Sequence, residues 1–383
     1  MRLLLPLLAA ALATPAAAQP VDHRDVARRV LTTTPLIDGH NDLPYAIYQS
    51  AAAPGDVAAP EHDLRTRTPF HTDIERLRQG MVGAQFWSVY IPYAAVEEGA
   101  AKRQLEQIDI ALQIIERYPD VLGLALDASD VERVFASGRI ASLLGMEGGH
   151  AIENSLGALR AFHALGVRYM TLTHNGDLGW ADAHGGAHPR GGLTEFGREV
   201  VREMNRLGML VDLSHTSPAV MNDALDVTEA PVIWSHAGAR AMTEHTRNVP
   251  DQVLRRLPDN GGVVMVVFNP PFVSTRAEAT LSDVADHVDH IAAVAGVDHV
   301  GIGSDYDGID RVPRGLEDVS TYPALFAELS RRGWSEADLR KLAGENVLRV
   351  MREGEAVARR LQRERPPSTR TIDELDGPQG GAR

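Results

Sequence analysis

The sequence predicts an α/β fold consisting of one (β/α)8 barrel, the TIM-barrel architecture. Eight short apolar runs with strand character alternate with amphipathic segments of helical periodicity, and no change in composition divides them. The 383 residues are enough for such a barrel, which typically takes about 250 residues. A doubly wound open sheet is the alternative, but no Gly-x-Gly-x-x-Gly turn follows the first predicted strand.

The strand-like runs are distributed along most of the chain. Their approximate limits are 35–41, 82–91, 141–147, 169–174, 209–215, 232–236, 263–269 and 299–305. Between them, the spacing of apolar residues predicts helices that include 101–118, 195–207 and 281–295. Gly208 is a plausible terminator of the second of these helices, and a capping box beginning at Ser335 predicts the start of a C-terminal helix.

The two ends of the chain differ in composition from the barrel segment. Arg2, an apolar run at 3–13 and small residues at 16–18 predict an export signal over residues 1–18. The single barrel domain is expected to span 19–365. Residues 366–383 are polar and rich in Pro, Gly and charge, which predicts a disordered tail without a membrane anchor. We therefore expect an exported protein, either periplasmic or extracellular.

The composition argues against two classes of partner. The chain has 38 basic and 52 acidic residues, which gives a formal net charge of −14. A surface this acidic repels nucleic acids and anionic membranes, so we expect neither as a partner. The sequence contains 0 cysteines, so its stability must come from the core and from any bound metal.

Histidine and acidic residues occur at the ends of most of the predicted strands. In chain order these residues are His40, Asp42, Glu147, His174, His215, His236 and Asp305. In a (β/α)8 barrel the carboxyl ends of all the strands surround one site. Histidines that only fill a core have no reason to collect at those ends. The pattern therefore predicts a metal-dependent hydrolase site.

The ligand types match what a two-metal hydrolase needs around an activated water. His40 and Asp42 are two residues apart on a strand, so both side chains face the same side and can bind one ion. His215 and His236 each end an apolar run after a serine, which suggests a second ligand pair. The two oxygens of Glu147 could bridge ions about 3.5–4 Å apart. Ordinary salt bridges are the alternative interpretation of these carboxylates.

Three further residues could act on the substrate. Asp305 is well placed as a general base, with Asp307 as a competitor further along the loop. His174 could donate a hydrogen bond to a developing oxyanion, or could be an ordinary histidine of the barrel rim. Arg247, in the loop after the sixth strand, could bind a substrate carboxylate at two points, although a loop arginine is usually just solvated.

Other polar residues have simpler interpretations. A Ser-His-Asp hydrolase is a weaker reading, because no serine here lies in a Gly-x-Ser-x-Gly elbow and neighbouring residues of a strand point to opposite faces. The loop 182–192 should lie over the barrel mouth, as a lid, an additional metal site or a plain mobile loop. His287 and His290 are expected at the surface of a helix.

From about residue 34 to 351 the chain resembles the membrane dipeptidase (renal dipeptidase) family of zinc metallopeptidases, peptidase family M19. The phrases that carry the resemblance are Asp38-Gly39-His40-Asn41-Asp42, Gly145-Met146-Glu147-Gly148-Gly149, Leu172-Thr173-His174-Asn175, Asp212-Leu213-Ser214-His215, Ser235-His236, Arg247-Asn248-Val249-Pro250, Gly303-Ser304-Asp305-Tyr306-Asp307-Gly308 and Gly344-Glu345-Asn346. Together, and in this order, they are highly specific.

The resemblance implies a (β/α)8 barrel with two zinc ions per subunit. His40 and Asp42 would hold one ion, His215 and His236 the other, and Glu147 would bridge them. By the same resemblance, three residues would act on the substrate: Asp305 as the acid/base residue, with His174 and Arg247 as the substrate-binding pair.

The family cleaves dipeptides, often with a D-residue at the C-terminal position, and some members open β-lactam rings. It also suggests a homodimer. This chain lacks the lipid-anchor tail and the cysteine bond of the animal members. Two other functions stay open: a barrel metallohydrolase acting on a lactone, β-lactam or phosphoester bond, and a non-catalytic binding protein on the same scaffold.

Overall fold

The computed structural model describes residues 21–378. The predicted export signal, residues 1–18, lies outside the described residues, as do residues 379–383 at the end of the chain.

Nine strands and sixteen α-helices lie within residues 21–378. The strands are β1 Leu36–Asn41, β2 Val82–Ser88, β3 Leu122–Leu124, β4 Ile140–Glu147, β5 Val167–Thr171, β6 Leu210–Asp212, β7 Ile233–Ala237, β8 Val263–Val266 and β9 Val300–Ile302. The helices are α1 His23–Thr33, α2 Leu43–Tyr48, α3 Ile74–Gln79, α4 Ala100–Arg117, α5 Ala128–Ala136, α6 Leu156–Ala164, α7 Glu195–Leu207, α8 Pro218–Val227, α9 Asp251–Leu254, α10 Leu257–Asn260, α11 Pro270–Val273, α12 Leu281–Ala295, α13 Tyr322–Arg331, α14 Glu336–Arg340, α15 Asn346–Glu364 and α16 Ile372–Asp376. Among these residues, none of the helices is both long and apolar enough to cross a membrane.

Eight of the strands close into a parallel barrel, which confirms the predicted fold. Their order around the barrel is β1, β2, β4, β5, β6, β7, β8 and β9, and β9 pairs with β1 again. The closure depends on direct pairing of β2 with β4, from Ala84 opposite Ala141 to Ser88 opposite Gly145. The additional strand β3, which the sequence did not predict, pairs with the first residues of β4.

Consecutive strand residues divide between two hydrophobic clusters. Ile37, Phe86, Leu143, Tyr169, Ile233 and Met265 belong to one cluster, and their chain neighbours Leu36, Trp87, Leu144, Met170, Trp234 and Val264 belong to the other. Because strand side chains alternate between faces, the first cluster fills the barrel and the second lies between the strands and the surrounding helices. Both faces are therefore apolar, which explains the continuous hydrophobic runs in the sequence.

Several strands end earlier than the sequence predicted. The run 209–215 becomes β6 at Leu210–Asp212, and the run 299–305 becomes β9 at Val300–Ile302. The residues beyond them turn away from the sheet, because His215 has a φ of 63° and Asp305 a φ of 70°. Several site residues thus lie just past the strands rather than on them.

The helix limits agree closely with the predicted segments. The segments 101–118, 195–207 and 281–295 correspond to α4, α7 and α12. Gly208 ends α7 with a φ of 80°, the left-handed conformation that favours glycine. The Ser335 side chain accepts a hydrogen bond from the Asp338 amide and caps the start of α14.

The predicted disordered tail is wrong for the part that the structure describes. Residues 366–378 include α16, which packs against α7. Thr194 donates a hydrogen bond of 2.6 Å to the Asp376 carboxylate, and the Phe196 amide donates another of 3.1 Å. Ile372 is buried, so this polar segment has its own apolar anchor and its own capping partner.

The expectation that His287 lies at the surface is also wrong. Its side chain is 1 % exposed. Nδ1 accepts a hydrogen bond of 2.9 Å from the Ala239 amide, and Nε2 lies 3.2 Å from the Val273 carbonyl oxygen. His287 therefore joins α12 to two loops at the barrel mouth. The i, i+3 spacing with His290 could not reveal which side of the helix faces inward.

Candidate active site

The predicted strand-end residues converge on one cavity at the carboxyl ends of the barrel strands. The cavity has a volume of about 510 Å³. Its walls include Asp42, Glu147, His174, His215, His236, Arg247 and Asp305. His40 is fully buried beside this cavity, where its Nε2 lies 3.2 Å from Asp42 Oδ2.

Glu147 lies between two sets of possible ligand atoms. Its Oε2 is 3.5 Å from His40 Nε2. Its Oε1 is 2.9 Å from His215 Nε2 and 3.3 Å from His236 Nε2. One oxygen of a single carboxylate thus faces each set, which is the arrangement expected of a bridging ligand.

Three groups of these atoms are compact enough to hold a metal ion. The groups are His40, Asp42 and Glu147; Glu147, His215 and His236; and His40, His236 and Asp305, each with its atoms within 4.8 Å of one another. The first two groups share Glu147, and all members are buried. Buried, mutually close imidazoles and carboxylates are what a metal centre requires.

The contacts of His40 leave one ring nitrogen available for a metal. Its Nδ1 lies 2.8 Å from the Tyr169 hydroxyl, which itself donates to the Gly39 carbonyl oxygen at 3.1 Å. The hydroxyl therefore accepts from Nδ1–H, which leaves Nε2 as the nitrogen that faces Asp42 and Glu147. Within residues 21–378 this buried Nε2 has no hydrogen-bond partner, as a metal ligand without its ion would.

His236 is oriented in the same way by its neighbours. Its Nδ1 lies 2.9 Å from Ser235 Oγ, which donates to Asp212 at 2.6 Å. Ser235 and His236 were expected on opposite faces, but the two side chains meet where β7 bends. Ser235 is fully buried with its hydroxyl bound to Asp212, so it is not placed as a nucleophile.

The electrostatics of His215, His236 and Glu147 favour the protonation states that metal ligands need. At His40 burial opposes protonation, but Tyr169 and the Asp42 and Glu147 carboxylates raise the pKa well above its ordinary value. Burial and the Arg247 charge lower the pKa of His215 far below its ordinary value, and burial and His40 do the same for His236. Burial raises the pKa of Glu147, but the neighbouring histidines His40 and His174 bring it well below its usual range. Neutral imidazoles and an ionised carboxylate are the metal-binding forms of these groups.

Asp305 differs electrostatically from Glu147. Burial, together with the negative charges of Asp42 and Glu147, raises the pKa of Asp305 well above its ordinary value. A carboxyl group with a raised pKa can both accept and return a proton. The competing candidate, Asp307, accepts a hydrogen bond of 2.6 Å from the His71 amide, which ties it to a neighbouring loop.

Arg247 and His174 complete the cavity wall. Arg247 is 2 % exposed, lies over the Phe272 ring at 5.3 Å, and has no hydrogen-bond partner for Nε or Nη1 among the described residues. Burial lowers its pKa to about 10. His174 lies three residues past β5, with its ring centroid 4.3 Å from that of His215. Both side chains therefore offer N–H donors to a ligand in the cavity.

The loop 182–192 is organised by two aspartates. Asp182 is fully buried and accepts hydrogen bonds from the backbone amides of Arg190 and Gly192. Asp177 accepts from the amides of Ala183 and His188. Within residues 21–378, the clusters that could hold a metal ion do not include this loop's histidines.

Several supporting residues were missed at the level of sequence. Tyr169 and Ser235 orient the rings of His40 and His236, and the buried Asp38 accepts hydrogen bonds from Ser304, Gln85 and Tyr322. Asp38 thereby ties β1 to the segment that follows β9. These roles depend on contacts between strands, and local sequence patterns give no signal for them.

A sequence model described as Membrane dipeptidase (Peptidase family M19) matches residues 24–365. The chain belongs to this family. The resemblance stated from the motifs is thereby confirmed, and the protein is a metal-dependent dipeptidase by family.

Solved structures agree with this assignment. The dipeptidase AC, a metallopeptidase of family M19, is 30 % identical with a TM-score of 0.76, over 84 % of this chain and 99 % of that one. A metallopeptidase from Rhodobacter sphaeroides, liganded with a phosphinate mimic of the dipeptide L-Ala-D-Ala, is 28 % identical with a TM-score of 0.75, over 84 % and 99 % of the two chains. The probable dipeptidase PvdM from Pseudomonas aeruginosa shares the fold, with 22 % identity and a TM-score of 0.80 over 88 % and 99 %.

Proposed function

We propose that the protein is a binuclear zinc dipeptidase that hydrolyses the peptide bond of dipeptides of the form L-Xaa-L-Xaa or L-Xaa-D-Xaa. The observation that carries this proposal is Glu147, whose two oxygens face two separate sets of buried ligand atoms. Acceptance of a D-residue is supported by the family member from Rhodobacter sphaeroides, which binds a mimic of L-Ala-D-Ala.

The ligand types support zinc as the metal. In this proposal His40 and Asp42 hold one ion, His215 and His236 hold the other, and Glu147 serves both. Imidazole nitrogens combined with carboxylate oxygens are a typical ligand set for catalytic zinc. When bound, the two ions would supply an activated water and polarise the peptide carbonyl group.

Three side chains would act directly on the substrate. Asp305 accepts the proton of the attacking water and returns it to the leaving amine. His174 donates a hydrogen bond to the carbonyl oxygen as negative charge develops there. Arg247 binds the free C-terminal carboxylate through its guanidinium, whose Nε and Nη1 have no hydrogen-bond partner among the described residues. A longer peptide has no carboxylate at that position, so the proposal limits the substrate to dipeptides.

The first test is a substrate panel with controlled metal content. Protein without residues 1–18 is stripped with a chelator, reloaded with zinc, and assayed for amino acid release from L,L and L,D dipeptides. We expect zinc-dependent turnover of dipeptides, with little turnover of the same dipeptides carrying a C-terminal amide. If protein that holds two zinc ions cleaves no dipeptide, the chemistry would belong to a lactone, β-lactam or phosphoester bond instead.

Export and self-association are proposals of the same kind. Residues 1–18 of the sequence support removal of a signal on export to the periplasm or the medium. N-terminal sequencing of the protein recovered from each cell fraction would test this. We also propose a homodimer, by analogy with the family, and light scattering of the purified protein would give its mass.

A further inference from the structure

The loop between β5 and α7 brings His184 to the cavity beside the proposed ligand His215. The His184 side chain forms part of the cavity wall. Its ring lies nearly perpendicular to the His215 ring, with the centroids 5.7 Å apart and an angle of 71° between the planes. Sequence reasoning assigned this loop to a lid, an additional metal site or a mobile segment. Its contacts point to a different role.

One asparagine oxygen joins the two histidine side chains. Asn175 Oδ1 lies 3.1 Å from His215 Nδ1 and 3.2 Å from His184 Nε2. A carbonyl oxygen only accepts hydrogen bonds, so both rings present N–H groups to it. With its proton on Nδ1, His215 keeps the lone pair of Nε2 free for a ligand on the Glu147 side.

The loop also holds the backbone of His215. The His184 amide donates a hydrogen bond of 2.7 Å to the His215 carbonyl oxygen. Ala183 and Thr216 form an antiparallel bridge, and the Thr173 hydroxyl donates to the same His215 oxygen at 2.9 Å. His215 has a φ of 63°, which costs free energy for a residue other than glycine. These hydrogen bonds stabilise that conformation.

His184 itself is held at its second nitrogen. Nδ1 lies 2.9 Å from the Thr246 hydroxyl, in the loop that also carries Arg247. Because Nε2 donates to Asn175, Nδ1 accepts from this hydroxyl, and the ring has one fixed neutral tautomer.

We propose that His184 is a positioning residue for the metal ligand His215. Through Asn175 it fixes the tautomer and the ring plane of His215, and through its amide it supports the backbone of that residue. The inference rests on the proposed two-metal site. It assigns the role to the ion held by His215 and His236, because within the described residues His184 contacts neither His40 nor Asp42.

The role predicts an unequal effect on the two ions. Loss of the His184 side chain frees Asn175 and lets the His215 ring rotate or change tautomer. The ion bound between His215 and His236 should then be weakened by roughly 10- to 100-fold, the usual effect of removing a hydrogen-bond partner of a metal ligand. The ion bound by His40 and Asp42 should keep its affinity.

The test measures zinc binding rather than activity alone. Protein without residues 1–18 is freed of metal and titrated with zinc in competition with a chromophoric chelator. Both zinc dissociation constants are determined. His184→Ala should raise one constant by roughly 10- to 100-fold and leave the other unchanged. His184→Gln should restore most of the affinity, because its amide N–H can reach Asn175 as Nε2 does.

His188→Ala is the matched control. His188 lies in the same loop, with Nε2 bound to the Ala183 carbonyl oxygen, and it does not line the cavity. This variant should bind zinc as the wild type does. Unchanged constants in His184→Ala, equal weakening of both constants, or the same loss in His188→Ala would each overturn the inference. A wild type that binds fewer than two zinc ions would instead reject the proposed function, and this inference with it.

Discussion

At the scale of single residues, the position of Glu147 makes the two proposed ions interdependent. Among the described residues, Glu147 belongs both to the group with His40 and Asp42 and to the group with His215 and His236. Glu147→Gln keeps the shape but removes the charge. We expect loss of paired zinc binding, and a fall in turnover of roughly 10²- to 10³-fold or more. Zinc content and kcat should be measured on the same sample. Two tightly bound zinc ions in this variant would contradict the bridging role.

Arg247 should strengthen binding of the substrate carboxylate. It is buried against Phe272, and its Nε and Nη1 have no hydrogen-bond partner within residues 21–378, so Arg247→Ala removes a buried guanidinium from the cavity wall. Loss of a buried charge pair costs about 3 kcal/mol, which predicts a fall in kcat/KM of roughly 10²-fold, mainly through KM. Dipeptide amides serve as the control, because neither protein can use the clamp with them. An unchanged KM for free dipeptides would exclude this role.

The sequence brought the proposed ligands together but gave no signal for the residues that orient them. Strand ends are visible as apolar runs, and a barrel brings all such ends to one rim, so His40, Glu147, His215 and His236 could be placed together in advance. Tyr169 orients His40 from a strand that lies elsewhere in the barrel, through a contact of 2.8 Å. Only the three-dimensional pairing of strands creates that contact.

At the scale of elements, the sequence predicted eight strands and missed β3. β3 has three residues, Leu122–Leu124, and a run this short carries no readable periodicity. The ends of β6 and β9 were predicted three residues too late, because the predicted runs extend to His215 and Asp305 whereas the backbone leaves the sheet after Asp212 and Ile302. Helices were predicted within one residue where both an amphipathic pattern and a terminal glycine were present, as at α7.

The end of α7 gives a test of local backbone chemistry. Gly208 has a φ of 80°, and an added Cβ would lie 3.2 Å from the Ala358 Cβ. Gly208→Ala should lower the free energy of unfolding by about 1 kcal/mol from the left-handed conformation alone, with a further loss from this contact. Gly138→Ala is the matched control, since Gly138 has a φ of 79° and open space around it. Equal losses in denaturant titrations would show that the contact with Ala358 costs nothing.

At the scale of the whole molecule, residues 366–378 pack on the outside of the barrel and stabilise it through α7. α16 buries Ile372 and caps the start of α7 through Asp376. Deletion of residues 366–383 should lower Tm by about 3 °C, since it removes about 2 kcal/mol of burial and capping in a large domain. kcat/KM should stay within twofold, because residues 366–378, the described part of the segment, do not line the cavity. Deletion of 379–383 is the control, and an equal loss of Tm in that variant would show that α16 does not stabilise the barrel.

The pH dependence of stability should include a contribution from His287. Burial lowers its pKa to about 4, from 6.5. The unfolded chain therefore binds a proton between these values while the folded protein does not, so stability is complete above pH 6.5 and falls as the pH decreases toward 4. Between pH 7 and 5 this residue should cost about 2 kcal/mol.

His287→Gln tests this contribution. The variant lacks the titrating group, so its free energy of unfolding should change less between pH 7 and 5 than that of the wild type, when both are metal-free. Urea titrations at the two pH values give the difference directly. Identical pH dependence in the two proteins would assign the acid sensitivity to other groups.

The left-handed backbone at His215 and Asp305 has an evolutionary consequence. Each of these residues occupies a conformation that glycine adopts without strain, at a cost of about 1–2 kcal/mol. If the two side chains act as proposed, selection for catalysis would keep them there, whereas selection for folding alone would favour their replacement. In a lineage that no longer needs the reaction, we expect glycine or asparagine to become fixed first at 215 and 305. Such a substitution in a descendant would indicate that its barrel is no longer catalytic.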